Sequence, residues 1–301
     1  MNLGILILPE HSWEQAKYYW QRAEALGFSH AWTYDHLTWR SFRDQAWYAA
    51  LPTLTAAALA TNHIQLGTMV ASPNFRHPVP FTKELITLDN ISAGRFILGI
   101  GAGSSGWDAT SMGQKPWTLA ERSARFAEFV QLTDQLLRQP EVTYQGMYYQ
   151  AREARNYPGC VQRPRLPLAI AATGPRGLGL VARFADIWIT NGDRSRSDIV
   201  GPSEGAAIVR KQWERLVTVC ERENRDPATI RRLVLTGPRL DGGLSSLETF
   251  RDTVGHYAEI GVTDLVLHWP RASAPYAGNP ERFEQLIADW QAKDNPNAQK
   301  I

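Results

Sequence analysis

The sequence predicts an α/β chain folded as a (β/α)8 TIM barrel, and three observations lead there. Eight short apolar stretches alternate with eight stretches of helical periodicity. The apolar stretches lack an every-second-residue pattern, as strands buried on both faces should. No linker or composition break divides the 301 residues into halves, which an open doubly wound sheet of eight units would more often show.

Composition bounds the class. The 44% of apolar residues supply a large core, while 32 Lys and Arg against 30 Asp and Glu leave no strongly basic surface for nucleic acid. No run of 18 apolar residues is present to span a membrane as a helix. Cys160 and Cys220 are too few for a disulfide framework and lack zinc spacing. Residues 1–10 read as a first strand and not as a signal peptide, so the expected location is the cytoplasm.

The elements follow in order. Residues 3–8 form strand one; Ser12 with Gln15 has capping-box spacing, and Trp13, Ala16, Trp20 and Ala23 recur at helical spacing until Gly27. Residues 30–34 are strand two, and a helix lies between Trp47 and Thr61, opened or bent by Pro52. Residues 64–70 are strand three; a loop runs through Pro73, Pro78 and Pro80, and a helix ends near Ile91. Residues 95–100 are strand four, and Thr118 with Glu121 caps a helix carrying Phe126, Phe129, Val130 and Leu137.

An insertion follows over 138–167, too long for a simple loop, with a hairpin predicted at 142–149. Residues 168–171, 186–190, 233–236 and 263–268 are strands five to eight. Gly174-Pro175 opens the helix after strand five, with Pro at its first position. Ile208, Leu216 and Cys220 mark the next helix, Ser245 with Glu248 caps another, and Asn279-Pro280 opens the last. The expected organisation is one barrel over 1–291 and a polar tail over 292–301.

A barrel carries its site where strands end and loops begin. The residues to read are therefore Asp35-His36, Met69 to Ser72, Gly101 to Gly106, Ala172 to Arg176, Thr190 to Asp193, and His268-Trp269. Residues 101–106 match G-x-G-x-x-G, but no helix opens obviously at Gly106, and the acidic residue at the expected distance, Glu121, lies in a helical stretch. A glycine turn that lets a cofactor approach the backbone is the reading kept. Residues 102–106 miss the nucleophile-elbow pattern by one position, and His256 with Glu259 shares a helix with packing residues, so no metal site is expected.

Gly174-Pro175-Arg176 offers free backbone N–H groups, a helix N-terminus and a guanidinium, which suits a phosphate; a capped helix with a surface Arg fits equally. His36 ends strand two, where an imidazole can act as general acid or base, or can simply pack. Trp39, Trp107, Trp117, His268 and Trp269 stand in or beside the mouth loops, as substrate walls or as packing beneath them.

In this order the pieces resemble the bacterial luciferase-like family, (β/α)8 barrels that use FMN or the deazaflavin F420. The residues that carry the likeness are Ala23-Glu24-Ala25-Leu26-Gly27-Phe28 leading to Trp32-Thr33-Tyr34-Asp35-His36, and Leu66-Gly67-Thr68 leading to Ser72-Pro73-Asn74-Phe75-Arg76. Ser92-Ala93-Gly94-Arg95-Phe96 leading to Gly99-Ile100-Gly101-Ala102-Gly103, then Gly174-Pro175-Arg176, then Ala182-Arg183-Phe184-Ala185-Asp186 continue it over residues 1–290.

The resemblance implies His36 beside the flavin ring as proton donor or acceptor; Asp35, which precedes it, is expected to orient or polarise the ring. It implies a bulge at Met69-Val70-Ala71 under the ring, frequently with a non-proline cis peptide, and the cofactor phosphate at Ala172, Thr173, Gly174, Pro175 and Arg176. Ser72, Asn74, Gly101, Ala102, Gly103, Ser104, Thr190 and Asn191 complete the implied cofactor set. Residues 72–76 are similar to the F420 branch, so F420 is the expected cofactor, with FMN the alternative.

Two positions depart from the sugar-phosphate dehydrogenase branch: its acidic residue after the glycine turn is Ser104 here, and its Lys after strand six is Asp193. Glucose 6-phosphate is therefore a poor candidate. The implied activity is hydride transfer to or from a small organic substrate. An FMN-dependent monooxygenase, a non-catalytic flavin-binding relative and a non-redox barrel enzyme are the alternatives. A homodimer and a separate flavin or F420 reductase are the implied partners.

Overall fold

The computed structural model describes residues 1–104 and 106–294; Ser105 of the glycine-rich segment and 295–301 of the expected tail lie outside the described residues. Chain order runs β1 (Asn2–Leu6), α1 (Trp13–Ala25), β2 (His30–Thr33), α2 (Ala50–Ala60), β3 (Gln65–Thr68), α3 (Pro78–Ile91) and β4 (Phe96–Gly101). Next come α4 (Trp107–Ser111), α5 (Leu119–Arg138), and the strands β5 (Glu141–Gln145) and β6 (Gln150–Arg155). The chain closes with β7 (Leu168–Ala171), α6 (Pro175–Phe184), β8 (Ile187–Thr190), α7 (Pro202–Arg222), β9 (Arg231–Leu235), α8 (Leu247–Glu259), β10 (Asp264–His268) and α9 (Pro280–Asp294).

Eight parallel strands close a barrel in the order β1-β10-β9-β8-β7-β4-β3-β2, while β5 and β6 form the antiparallel hairpin of the insertion. Alternation sorts side chains between two cores. On β4, Phe96, Leu98 and Ile100 face the helices, whereas Ile97 joins Leu6, Trp32, Ala169, Ile187, Leu233 and Val266 inside the barrel. Glycines on the inner face make room for large neighbours. A Cβ on Gly67 would sit 2.3 Å from the Trp32 ring, and one on Gly4 would sit 2.1 Å from the His30 ring.

A polar plug closes the N-terminal end of the barrel. Fully buried Asp264 accepts from His30 Nε2 at 3.0 Å, Asn2 Nδ2 at 3.1 Å and Thr263 Oγ1 at 2.6 Å, and it pairs with Arg231. Trp32 Nε1 donates to His30 Nδ1 at 2.7 Å, so Nε2 carries the His30 proton toward Asp264. Burial alone would raise the Asp264 pKa, but His30 and Arg231 outweigh it and hold the carboxyl well below the usual range.

Several local expectations are corrected. Pro78 and Pro80 belong to α3, because a proline in the first turn forfeits no intrahelical bond, and His77 Nδ1 caps that turn by accepting from Val79 N. Ser12 makes no side-chain cap bond, and Trp13 is exposed. The box at α8 is Ser246 with Thr249 and not Ser245 with Glu248. The hairpin strands reach further than 142–149, α9 continues through the start of the expected tail to Asp294, and a short helix, α4, does open after Gly106. No described helix is long and apolar enough to cross a membrane.

Candidate active site

The C-terminal mouth of the barrel holds a cavity of about 420 Å³. One half is built by β3, β4 and β7. After β3 the Met69-Val70 peptide is cis. Ala71 then pairs with β4, donating from its N–H to Gly99 O at 2.8 Å and accepting from Gly101 N at 2.9 Å.

Only glycine on β4 allows this approach. A Cβ on Gly99 would fall 1.8 Å from Thr68 O, and one on Gly101 would fall 2.8 Å from Val70 Cγ2. The next turn needs glycine for its backbone as well: Gly103 has φ +71°, and a Cβ there would meet Asn74 Oδ1 at 2.6 Å. Asn74 Nδ2 donates to Ser104 O at 3.0 Å, and Arg122 Nη1 donates to Gly103 O at 3.1 Å, so the turn is pinned from behind. Met69, Val70, Ser72, Gly101, Ala102, Gly103, Ser104, Ala172, Thr173, Thr190 and Asn191 all line the cavity.

His36 lines it too, and its partner was not foreseen. His36 Nδ1 lies 2.7 Å from Asp108 Oδ2, while Asp108 Oδ1 accepts from Leu37 N at 2.8 Å. A carboxylate can only accept there, so Nδ1 carries a proton, and Nε2 has no protein partner among the described residues. Asp108 is buried in the first turn of α4, and Trp47 Nε1 donates to His36 O at 2.9 Å. The Trp39 ring lies nearly parallel to the imidazole.

Asp35 does not orient His36. Its carboxylate is buried and taken by Arg76, with Nε at 2.7 Å and Nη2 at 2.8 Å. Trp39 and Trp107 line the cavity as expected of mouth aromatics, but Trp117, His268 and Trp269 do not. Trp117 stands beside Arg125, and Trp269 is buried between Tyr19 and Phe283 in the core outside the strands. His268 is one layer back: its Nε2 bonds the Tyr34 hydroxyl at 2.8 Å, and it is Tyr34 that reaches the cavity. Burial pushes the His268 pKa down to about 3, with the Thr236 backbone opposing weakly, so the ring is neutral.

Ala71 and Asn74 support the wall without lining it, and Gly174, Pro175 and Arg176 lie exposed beyond the rim at the start of α6. Sequence reasoning missed Asp108, Tyr34 and three arginines of the lining, Arg40, Arg194 and Arg239. A signal for Asp108 was present, since an acidic residue following Gly106-Trp107 suits a helix first turn.

The fold and site define a (β/α)8 barrel with a glycine-walled, His-bearing cavity at its mouth. A family model described as luciferase-like monooxygenase matches residues 1–234, and the chain belongs to this family. It is 32% identical, over 90% of its length and 92% of the relative's, to an F420-dependent glucose-6-phosphate dehydrogenase of Beutenbergia cavernae. Among solved structures it is similar to an F420-dependent tetrahydromethanopterin reductase of Methanopyrus kandleri (TM-score 0.74, 19% identity, 95% of this chain and 97% of that one). It is also similar to a monooxygenase of Streptomyces bottropensis (TM-score 0.73, 20% identity, 96% and 97% of the chains).

Proposed function

We propose that this protein is an F420-dependent oxidoreductase acting on a small organic substrate, with His36 handling the proton. The observation that carries the reading is the His36–Asp108 pair facing a glycine-walled cavity, on a chain whose relative at 32% identity is named for F420.

The residues fit the coenzyme. The Met69-Val70 bulge offers an apolar shelf for a flat ring, and Gly101 and Gly103 leave backbone exposed where side chains would intrude. Thr173 and the start of α6, with Arg176, offer backbone N–H groups and a cation to its phosphate. F420, when bound, supplies a two-electron carrier that gives or takes a hydride at C5. The protein's part is orientation, exclusion of water by Trp39 and Trp107, and proton exchange at His36 Nε2.

Glucose 6-phosphate is not the substrate supported. By the resemblance, Ser104 falls where the sugar-phosphate branch has its acid, and Asp193 where it has its Lys. The Asp193 carboxylate accepts from Ser195 N at 2.9 Å and Oγ at 2.8 Å, bonds that hold its pKa below the usual range, so the position bears a negative charge.

The test is a substrate screen read on the deazaflavin chromophore. Small alcohols should reduce F420, or unsaturated carbonyl compounds should oxidise its reduced form, only with native enzyme. Oxygen consumption with reduced FMN, and no turnover of F420 in either direction, would overturn the reading.

A further inference from the structure

We propose that Arg40, Arg194 and Arg239 form a carboxylate-binding wall in the mouth, so that the substrate is an organic acid with an apolar or aromatic body. The proposal rests on the F420 reading above and names the substrate class that reading leaves open.

The three arginines come from loops after β2, β8 and β9, and each contributes to the cavity lining; Arg40 and Arg194 are exposed and Arg239 is half-buried. Asp108 is the sole acidic residue of the described lining, and its two oxygens are spent on His36 and Leu37. The cavity lining therefore carries three guanidiniums against the single carboxylate of Asp108.

None of the three makes an ion pair among the described residues. Arg40 lies over the Trp39 ring at 5.0 Å, and Arg239 Nε donates to the backbone oxygen of Arg196 at 3.2 Å. Their mutual proximity registers on Arg239, whose pKa is lowered first by burial and then by repulsion from Arg194 and Arg40. Asp193 and Tyr276 oppose this, but Asp193 lies outside the cavity lining with its Oδ1 held by Ser195. Like charges gathered at one mouth repel, less where solvent screens them, and an anion that joins them relieves the repulsion.

Position and chemistry select the ligand. Arg194 and Arg239 come from the β8 and β9 side, across the barrel from β3, whereas Arg40 comes from the loop after β2, beside β3. The shelf implied for the cofactor ring lies on β3 and β4, and its phosphate is implied beyond Thr173. Guanidinium forks match a carboxylate's two oxygens. Among the lining residues, Trp39, Tyr34, Trp107, Met69 and Leu235 provide apolar and aromatic surface.

The test uses benzoate and its neutral isostere benzamide, titrated at constant ionic strength and followed by calorimetry. F420 affinity is measured on the same preparations by fluorescence. Benzoate should bind at least tenfold more tightly than benzamide. Arg194→Gln with Arg239→Gln should erase that preference while F420 affinity stays within threefold and the melting temperature holds. Equal binding of the two probes would overturn the proposal, and so would inorganic phosphate binding more tightly than benzoate. Loss of F420 affinity in the variant would assign the arginines to the cofactor and likewise refute it. Should native protein fail to bind F420, the functional reading falls while the benzoate arm still reports on the wall.

Discussion

His36 Nδ1 and Asp108 Oδ2 lie 2.7 Å apart although 72 positions separate them in sequence. The contact joins the exit of β2 to the helix after β4, and the second Asp108 oxygen fastens Leu37 N to the same helix. One buried carboxylate thus sets both the ring's tautomer and the path of the backbone beside it.

Replacing His36 by Asn should leave F420 affinity within about threefold while turnover falls by roughly 10² to 10⁴. Asn keeps a planar amide, so loss of packing is small. Titration and steady-state rates on one preparation check this; a residue that merely packs would lose melting temperature and keep turnover per folded molecule.

Asp108→Asn removes the obligatory acceptor and can present an amide N–H to Nδ1, favouring the opposite tautomer. Turnover should fall by about 10- to 100-fold with the fold retained, and Asp108→Glu should recover part of it. Asp35→Asn is the comparison. It breaks the buried pair with Arg76, so its effect should appear in stability, at about 3 kcal/mol or more, as a lowered denaturant midpoint.

Much of the fold was legible because buried parallel strands and amphipathic helices leave strong local patterns. The mouth was legible only where a strand end announces itself: His36, Met69 and Gly101 follow apolar runs and do line the cavity. Trp269 also follows a strand, yet barrel closure turns it outward against Tyr19 and Phe283. Adjacency also misled at Asp35, since successive residues leaving a strand point to opposite sides. Asp108 reaches the cavity through the short helix α4, and Arg194 and Arg239 reach its lining through loop geometry, which carries no periodicity. At α8 the neighbouring Ser245 and Ser246 compete for one helix start, while Ser12 does stand at the N-cap of α1 but makes no side-chain cap bond.

Gly103→Ala should weaken F420 binding about tenfold, because a side chain at φ +71° costs roughly 1–2 kcal/mol and its Cβ would displace Asn74 from the Ser104 carbonyl. Gly113 also has φ +71° but has open space around it, so Gly113→Ala should carry the backbone cost without affecting binding. Fluorescence titration of the two variants separates strain from site damage.

His268 predicts a stability slope. Its folded pKa of about 3 lies below the unfolded value near 6.5, so below pH 6.5 the unfolded chain takes up a proton that the folded one refuses. Stability should therefore fall as pH drops, by up to about 1.4 kcal/mol per unit, or roughly 2 kcal/mol between pH 6 and 4.5. His268→Gln, which can still bond Tyr34, should flatten that part of a urea-midpoint profile. Asp264 contributes at lower pH: its depressed pKa gives stability present above about pH 4 and lost below it.

The most direct measurement is a pair of titrations of the purified protein, one with F420 and one with FMN, each followed by ligand fluorescence. The account predicts saturable F420 binding at micromolar or tighter dissociation constant, weakened about tenfold by Arg176→Ala, and no saturation with FMN in the same range. Tight FMN binding with no binding of F420 would contradict it.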